Sequence, residues 1–169
     1  MGAGKAMAIG PGNCTGAQFS LAHSNDVNQT LATEGSMLVR GDGVLTFGHV
    51  LDGGGDVLCQ AAVGSNVMVY DLSASTSGEC LAYNASTDEM YLHNPSGCDG
   101  TSATYLQWGF KYLKTALGFK IYDLQNMYAA KGDPCAEFSF GSPPQYNPVY
   151  GIPCNTNDTN QFMMYEPLS

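Results

Sequence analysis

Positive charge is what this sequence has least of. Its 169 residues carry six Lys and Arg against fifteen Asp and Glu, a formal net charge of −9, and the one local run of cations is Lys111, Lys114 and Lys120. A nucleic-acid partner needs a basic footprint that displaces counterions from phosphates, so that class is excluded, and an anionic membrane surface is disfavoured for the same reason. No apolar run approaches the roughly 18–20 residues that cross a bilayer, so no membrane span is expected. The opening "MGAGKAMAIGPG" has no apolar h-region, which in a secreted chain implies a signal already removed. Ala6 breaks the myristoylation pattern.

Several chemical signatures are missing as well. There is no C-x-x-C or Cys/His spacing of a zinc site, and His23, His49 and His93 stand far apart with no i, i+4 pair. No G-x-S-x-G elbow occurs, and Asp88 with Glu89, or Asp133 with Glu137, are acids beside turns with nothing in the sequence to split their pKa values. "GAGK" at residues 2–5 lacks the first glycine and the final Ser or Thr of a phosphate loop. Asp52 and Asp56 offer two carboxylates where calcium takes roughly six to eight oxygens. "RGD" at residues 40–42 reads most simply as an Asp-Gly hairpin turn. The expectation is a protein that is not an enzyme and carries no cofactor and no metal.

What is present points outside the cell. Only 12% of residues are charged, so a surface rich in Gly, Ser, Thr and Asn must be solvated by neutral polar groups. Six cysteines, at Cys14, Cys59, Cys80, Cys98, Cys135 and Cys154, form an even set that favours disulfides and an oxidising compartment. Four N-glycosylation sequons stand at Asn13, Asn28, Asn84 and Asn157, where about two are expected by chance.

The dominant periodicity is two. "AQFSLAH", "DVLCQAAVGSNVMVYDL", "ECLAYN", "DEMYLHN", "GFKIYDL", "CAEFSFG" and "QFMMYE" alternate apolar and polar and are punctuated by Gly, Asn, Asp and Pro at spacings near ten residues. That is the mark of a single all-β domain of short antiparallel strands, a β-sandwich, barrel or β-trefoil. A Gly/Ala-rich N-terminal arm over residues 1–16 precedes the domain at 17–169. One window, "TYLQWGFKYLKTAL", places Tyr105, Trp108, Tyr112 and Leu113 at helical spacing and fits a strand as well.

In "GECLAYNASTDEMYLHNPSGC" the strand "CLAY" turns at Asn84–Asp88 and returns as "MYLH", so a Cys80–Cys98 bridge would tie a hairpin to the strand that follows it. The same layout recurs at Cys135–Cys154, about 55 residues on, which suggests an internal repeat and leaves Cys14 to pair with Cys59. Fifteen pairings are open to six cysteines, and this is the one the repeat favours. Each bridge would contribute about 3–4 kcal/mol.

Two resemblances follow. Over residues 56–166 the order of Cys-Leu, turn, second Cys and then Gln near an aromatic, as in "CDGTSATYLQWGF" and "CNTNDTNQFMMYE", resembles the ricin-B-type β-trefoil lectins. The family places Gln two residues before Trp; here Gln107 directly precedes Trp108, and Met163 stands where the second Trp would be. That likeness implies carbohydrate binding and a third unit drawn from residues 17–60. Over more of the chain, "CTGAQFSLAHSNDVNQTLATEGSMLVRGDGVLTF" and "ALGFKIYDLQNMYAAKGDPCAEFSF" are similar to small secreted cell-wall and surface glycoproteins of filamentous fungi. That likeness implies a secreted, N-glycosylated structural protein of a surface or extracellular assembly. The Gly/Ala-rich arm over residues 1–16 is, separately, the candidate for homo-assembly, docking on its own domain or adding a strand to a neighbour. The alternative function is a lectin-like module, for which Trp108, Tyr146 and Tyr150 are the aromatic faces to offer a sugar. For Trp108 the competing role is that of core aromatic.

Overall fold

The computed structural model describes residues 14–23, 26–33, 45–49, 55–74, 76–98, 103–116, 118–138 and 147–168. "GAGK", "RGD", Asp52, Asn13 and Tyr146 lie outside them, as do residues 1–13 of the arm. The remaining arm residues run straight into the first strand.

Among the described residues, twelve strands fall into three units of four. The first holds β1 (Thr15–His23), β2 (Asp26–Thr33), β3 (Leu45–His49) and β4 (Leu58–Val63). The second holds β5 (Asn66–Asp71), β6 (Cys80–Asn84), β7 (Glu89–His93) and β8 (Trp108–Ala116). The third holds β9 (Phe119–Asn126), β10 (Cys135–Phe138), β11 (Asn147–Ile152) and β12 (Met163–Pro167). Residues 15–63 therefore supply the third unit that threefold symmetry requires.

Outer strands of the units close a barrel: β1 pairs with β4, β4 with β5, β5 with β8, β8 with β9, β9 with β12, and β12 with β1, all antiparallel. Closure leaves no sheet edge among these six strands and rules out a sandwich. The inner pairs β2–β3, β6–β7 and β10–β11 are hairpins, and β11 bonds to both β3 and β7 so that the three gather at one end of the barrel. The helical window is a single 3-10 turn at Thr104–Leu106 followed by strand β8. Alternation decides it, because Trp108 and Phe110 face the barrel interior while Lys111 faces out, and a bulge between Tyr112 and Lys114 turns Lys114 outward as well.

Register puts inward residues in layers. Leu58, Trp108 and Met163 open the fourth strand of each unit, and Leu21, Val69 and Leu124 lie level with them on the first strands; all six are buried in one core cluster. One step toward the hairpins, the residues opposite Leu58, Trp108 and Met163 are Asp71, Asn126 and His23, each buried and polar. Asp71 and Asn126 do the same local work: their side-chain oxygens accept from the backbone N–H two residues on, Ser73 at 2.9 Å and Tyr128 at 3.1 Å, turning the chain into the hairpin. His23 packs its ring against Phe138, 4.9 Å between centroids.

The barrel hairpins need φ > 0 in their two-residue loops, which Gly64 and Gly118 supply. Gly151 in β11 answers a different need. A Cβ there would lie 2.5 Å from Cε1 of Tyr83 and 3.2 Å from the terminal methyl of Met90. Gly151→Ala is expected to cost about 1–3 kcal/mol, read as a lower urea midpoint with an unchanged m-value.

Disulfides join Cys14 to Cys59, Cys80 to Cys98 and Cys135 to Cys154, with Cα–Cα distances of 5.8, 5.9 and 5.0 Å. The last two occupy matching places, each linking the first strand of a hairpin to the segment after its second strand. The first ties the entry of β1 to β4. Three such bridges belong to a protein that folds in an oxidising compartment.

Candidate functional site: the mouth of the barrel

At the end away from the hairpins, the next inward layer consists of Phe19, Val67 and Tyr122 from the first strands and Gln60, Phe110 and Tyr165 from the fourth. Four of the six are aromatic. Phe19 stacks on Tyr165 at 4.5 Å and 20°, while Phe110 stands edge-on to Phe19 and to Tyr122, each at 5.7 Å and 84°. Tyr122 meets Tyr165 at 5.8 Å and Tyr112 at 5.9 Å. Edge-to-face pairs of this kind add about 0.5–1.5 kcal/mol each beyond their burial. The rings therefore hold one another in place.

Phe19 is wholly buried, but Phe110, Tyr122 and Tyr165 are only partly so, and they line a cavity of about 370 Å³ together with Gln60, Phe119 and Lys120. Lys120 is placed there by register, directly opposite Tyr165 on β12. Burial, then the neighbouring Tyr122 hydroxyl, raises the pKa of the Tyr165 phenol, which stays a neutral donor. A cavity of this size with aromatic walls, one amide and one ammonium accommodates a small polar ring that has an apolar face.

The residues singled out in the sequence lie elsewhere. Trp108 is 0% exposed and its Nε1 donates to the Leu81 carbonyl oxygen at 2.9 Å. It is a core aromatic and presents no face to a sugar, which corrects the sugar-binding expectation for it. Tyr150 is half-buried on β11, with Glu137 of β10 and Glu89 of β7 as its cross-strand partners. Beyond it Glu137 accepts from Nε2 of Gln161 at 3.2 Å, and burial with a hydrogen bond to Asp158 pushes its carboxyl up to about 7. This is a filled polar cluster on the outside of the third hairpin. The acids paired in sequence do not converge: Asp88 accepts from the Tyr83 hydroxyl and sits 3.7 Å from the Lys131 ammonium.

Other candidates resolve locally. Nδ1 of His93 lies 2.9 Å from the Asn94 carbonyl oxygen, and Asp56 is buried beside Asp71. His49 is placed in β3 by its backbone alone, as Asn28 is in β2. Asn84, the last residue of β6, and Asn157, on a turn, are exposed, where a sequon is accessible. Among the described residues, no group of three or more His, Cys, Asp or Glu gathers as metal ligands, and no helix is long and apolar enough to cross a membrane.

No protein-family model and no curated protein sequence matches the chain. Solved structures do. The designed threefold-symmetric protein ThreeFoil superposes with a TM-score of 0.64 at 13% identity, over 89% of this chain and 99% of ThreeFoil. The fold is a β-trefoil. SeviL bound to asialo-GM1 saccharide matches at 0.57 and 9% identity, over 92% of this chain and all of SeviL (100%). A mosquitocidal holotoxin matches at 0.67 and 11% identity, over 92% of this chain, which spans only 18% of the toxin. At such identities the likeness concerns the fold. The trefoil half of the sequence resemblance stands, and the structures just named lend no support to the fungal wall glycoprotein.

The trefoil also locates the Gln of the lectin-like pattern. Gln161 lies two residues before the core residue Met163, the family's own spacing, and is wholly buried. Its Oε1 accepts from Asn155 N–H at 2.9 Å and its Nε2 donates to the Pro153 carbonyl at 3.0 Å. The matching places in the other units hold Asp56 and Leu106. Gln107 instead accepts from Nδ2 of Asn66 at 3.1 Å.

Sequence reasoning passed over the mouth because its residues come from six strands, and Phe19 and Tyr165, which stack there, are nearly the whole chain apart in sequence. A signal existed in the alternation itself. "QWGFKY", "FKIYDL" and "MMYEP" each carry an aromatic two residues outward from a core position. Only closure of the barrel says that these positions face one another.

Proposed function

We propose that this chain is a secreted, non-catalytic, carbohydrate-binding β-trefoil whose ligand sits in the barrel mouth. The observation that carries the reading is the cavity of about 370 Å³ walled by Phe110, Tyr122 and Tyr165. Pyranose rings have apolar C–H faces that pack on aromatic rings, while Gln60 and the tyrosine hydroxyls meet the sugar's equatorial groups. SeviL, a protein of the same fold seen with a saccharide, supports the reading by analogy of fold. The disulfides and exposed sequons support secretion. Homo-assembly through residues 1–16 finds no support here, since most of that arm lies outside the described residues.

The test is a glycan array followed by titration calorimetry on the hits. Tyr122→Ala is expected to weaken binding at least about tenfold while the thermal transition stays cooperative. Binding unchanged in a folded Tyr122→Ala protein would remove the mouth as the site.

A further inference from the structure

The geometry points to an acidic saccharide, one bearing a carboxylate or sulfate, as the ligand of the barrel mouth. This rests on the carbohydrate-binding reading above and adds the charge of the ligand. The chain carries a formal charge of −9, yet the described residues lining the cavity include one lysine and no acid. In a protein with more than twice as many acids as bases, a wall free of carboxylates is a local reversal of the overall field.

Topology produces that reversal. Of the four described lysines, Lys111, Lys114 and Lys120 belong to the single β8–β9 hairpin at the mouth. Two are engaged on the outer face: Lys111 opposes Asp123 by register, and the Lys114 ammonium lies 4.8 Å over the Phe162 ring. Lys131 is remote and ion-paired with Asp88 at 3.7 Å. Lys120 points into the mouth, and among the described residues no carboxylate stands within 4 Å of its ammonium. Glu166, next to Tyr165 on β12, alternates to the other face of the strand. Lys120 is itself exposed, so its ammonium stands at the open rim of the aromatic wall and meets an anion as an exposed ion pair, modest in strength and screened by salt, while the rings below hold the sugar face. A neutral sugar would leave that ammonium with solvent alone.

An array of matched pairs tests this, each neutral oligosaccharide printed beside its uronic-acid or sulfated counterpart, with wild type, Lys120→Gln and Tyr122→Ala. The expected result is about two- to fivefold tighter binding of the acidic member, a preference that shrinks as NaCl rises from about 50 to 300 mM. Lys120→Gln is expected to abolish the preference, bringing the acidic member to the affinity of its neutral counterpart; Tyr122→Ala is expected to weaken both. Equal binding of both members with no effect of Lys120→Gln overturns the acidic-ligand inference and leaves carbohydrate binding standing. No binding to any sugar overturns both.

Discussion

Asp71→Asn is expected to raise stability at pH 8 by up to about 4 kcal/mol and to leave it nearly unchanged at pH 4.5. Asp71 ends β5 at 2% exposure, and its carboxyl is pushed up to about 9, first by burial, then by the hydrogen bond and charge of Asp56, with Glu79 adding to the effect and the Ser73 N–H opposing it. The folded state therefore favours the protonated acid, whereas the unfolded chain ionises near pH 4. A carboxyl with a raised folded pKa stabilises below its unfolded value and loses that contribution as pH climbs toward the folded one. Stability of the wild type should fall from about pH 4 to pH 9, opposite to ordinary acid denaturation. Between pH 5 and pH 8 the loss is on the order of 4 kcal/mol, or about 10 °C in Tm for a chain of this length. Half-exposed Glu137, raised to about 7 by burial and Asp158, adds a smaller slope of the same sign between about pH 4.5 and 7.

Asparagine is the informative substitute because the fold already uses it at the matching place. Asn126 accepts from Tyr128 N–H through Oδ1 and donates to the Tyr105 carbonyl through Nδ2 at 3.0 Å. Asn at 71 keeps the bond from Ser73 and gives Asp56 a donor at every pH. Thermal melts of both proteins at pH 4.5, 6 and 8 decide the matter: a wild type as stable at pH 8 as at pH 5 would mean that Asp71 ionises freely in the folded state.

Trp108→Ala is expected to cost about 4–5 kcal/mol, a large share of the roughly 5–15 kcal/mol that holds a domain together. The ring is the largest fully buried side chain of the core, and its removal opens a cavity and leaves the Leu81 carbonyl without its donor. Trp108→Leu should cost about half as much, since Leu58 and Met163 already fill the matching positions and the barrel tolerates an aliphatic side chain there. Urea unfolding measures both. A Trp108→Ala protein with near wild-type stability and lost sugar binding would reverse the roles given to Trp108 and the mouth tyrosines.

Much of the fold was legible in the residues because strand physics is local. Alternation at period two writes the burial pattern of each strand directly into sequence, as in "FKIYDL". The near-equal spacing of Cys80–Cys98 and Cys135–Cys154 exposed two of the three units. The first unit was implied only through the trefoil resemblance, at residues 17–60, because its bridge, Cys14–Cys59, joins different places, and because Leu58 stands where the second unit has Trp108. Trp108 drew attention as the lone tryptophan, yet identity alone does not tell a ring at the barrel's centre from one at its rim.

By itself the sequence determined an all-β, disulfide-bonded, acidic chain with alternating runs at residues 17–23, 56–72, 79–94, 118–124, 135–141 and 161–166, and left the window around Trp108 open between helix and strand, since propensity, alternation and cysteine count depend on neighbours along the chain. Only the tertiary structure decided that six strands close on themselves, that Asp71, Asn126 and His23 share one buried layer, and that Phe110, Tyr122, Tyr165 and Lys120 meet at one mouth. Those facts depend on strand pairing and tilt, which bring together residues up to about 145 positions apart, and no local pattern records which inward-facing side chains a closed barrel sets across from one another.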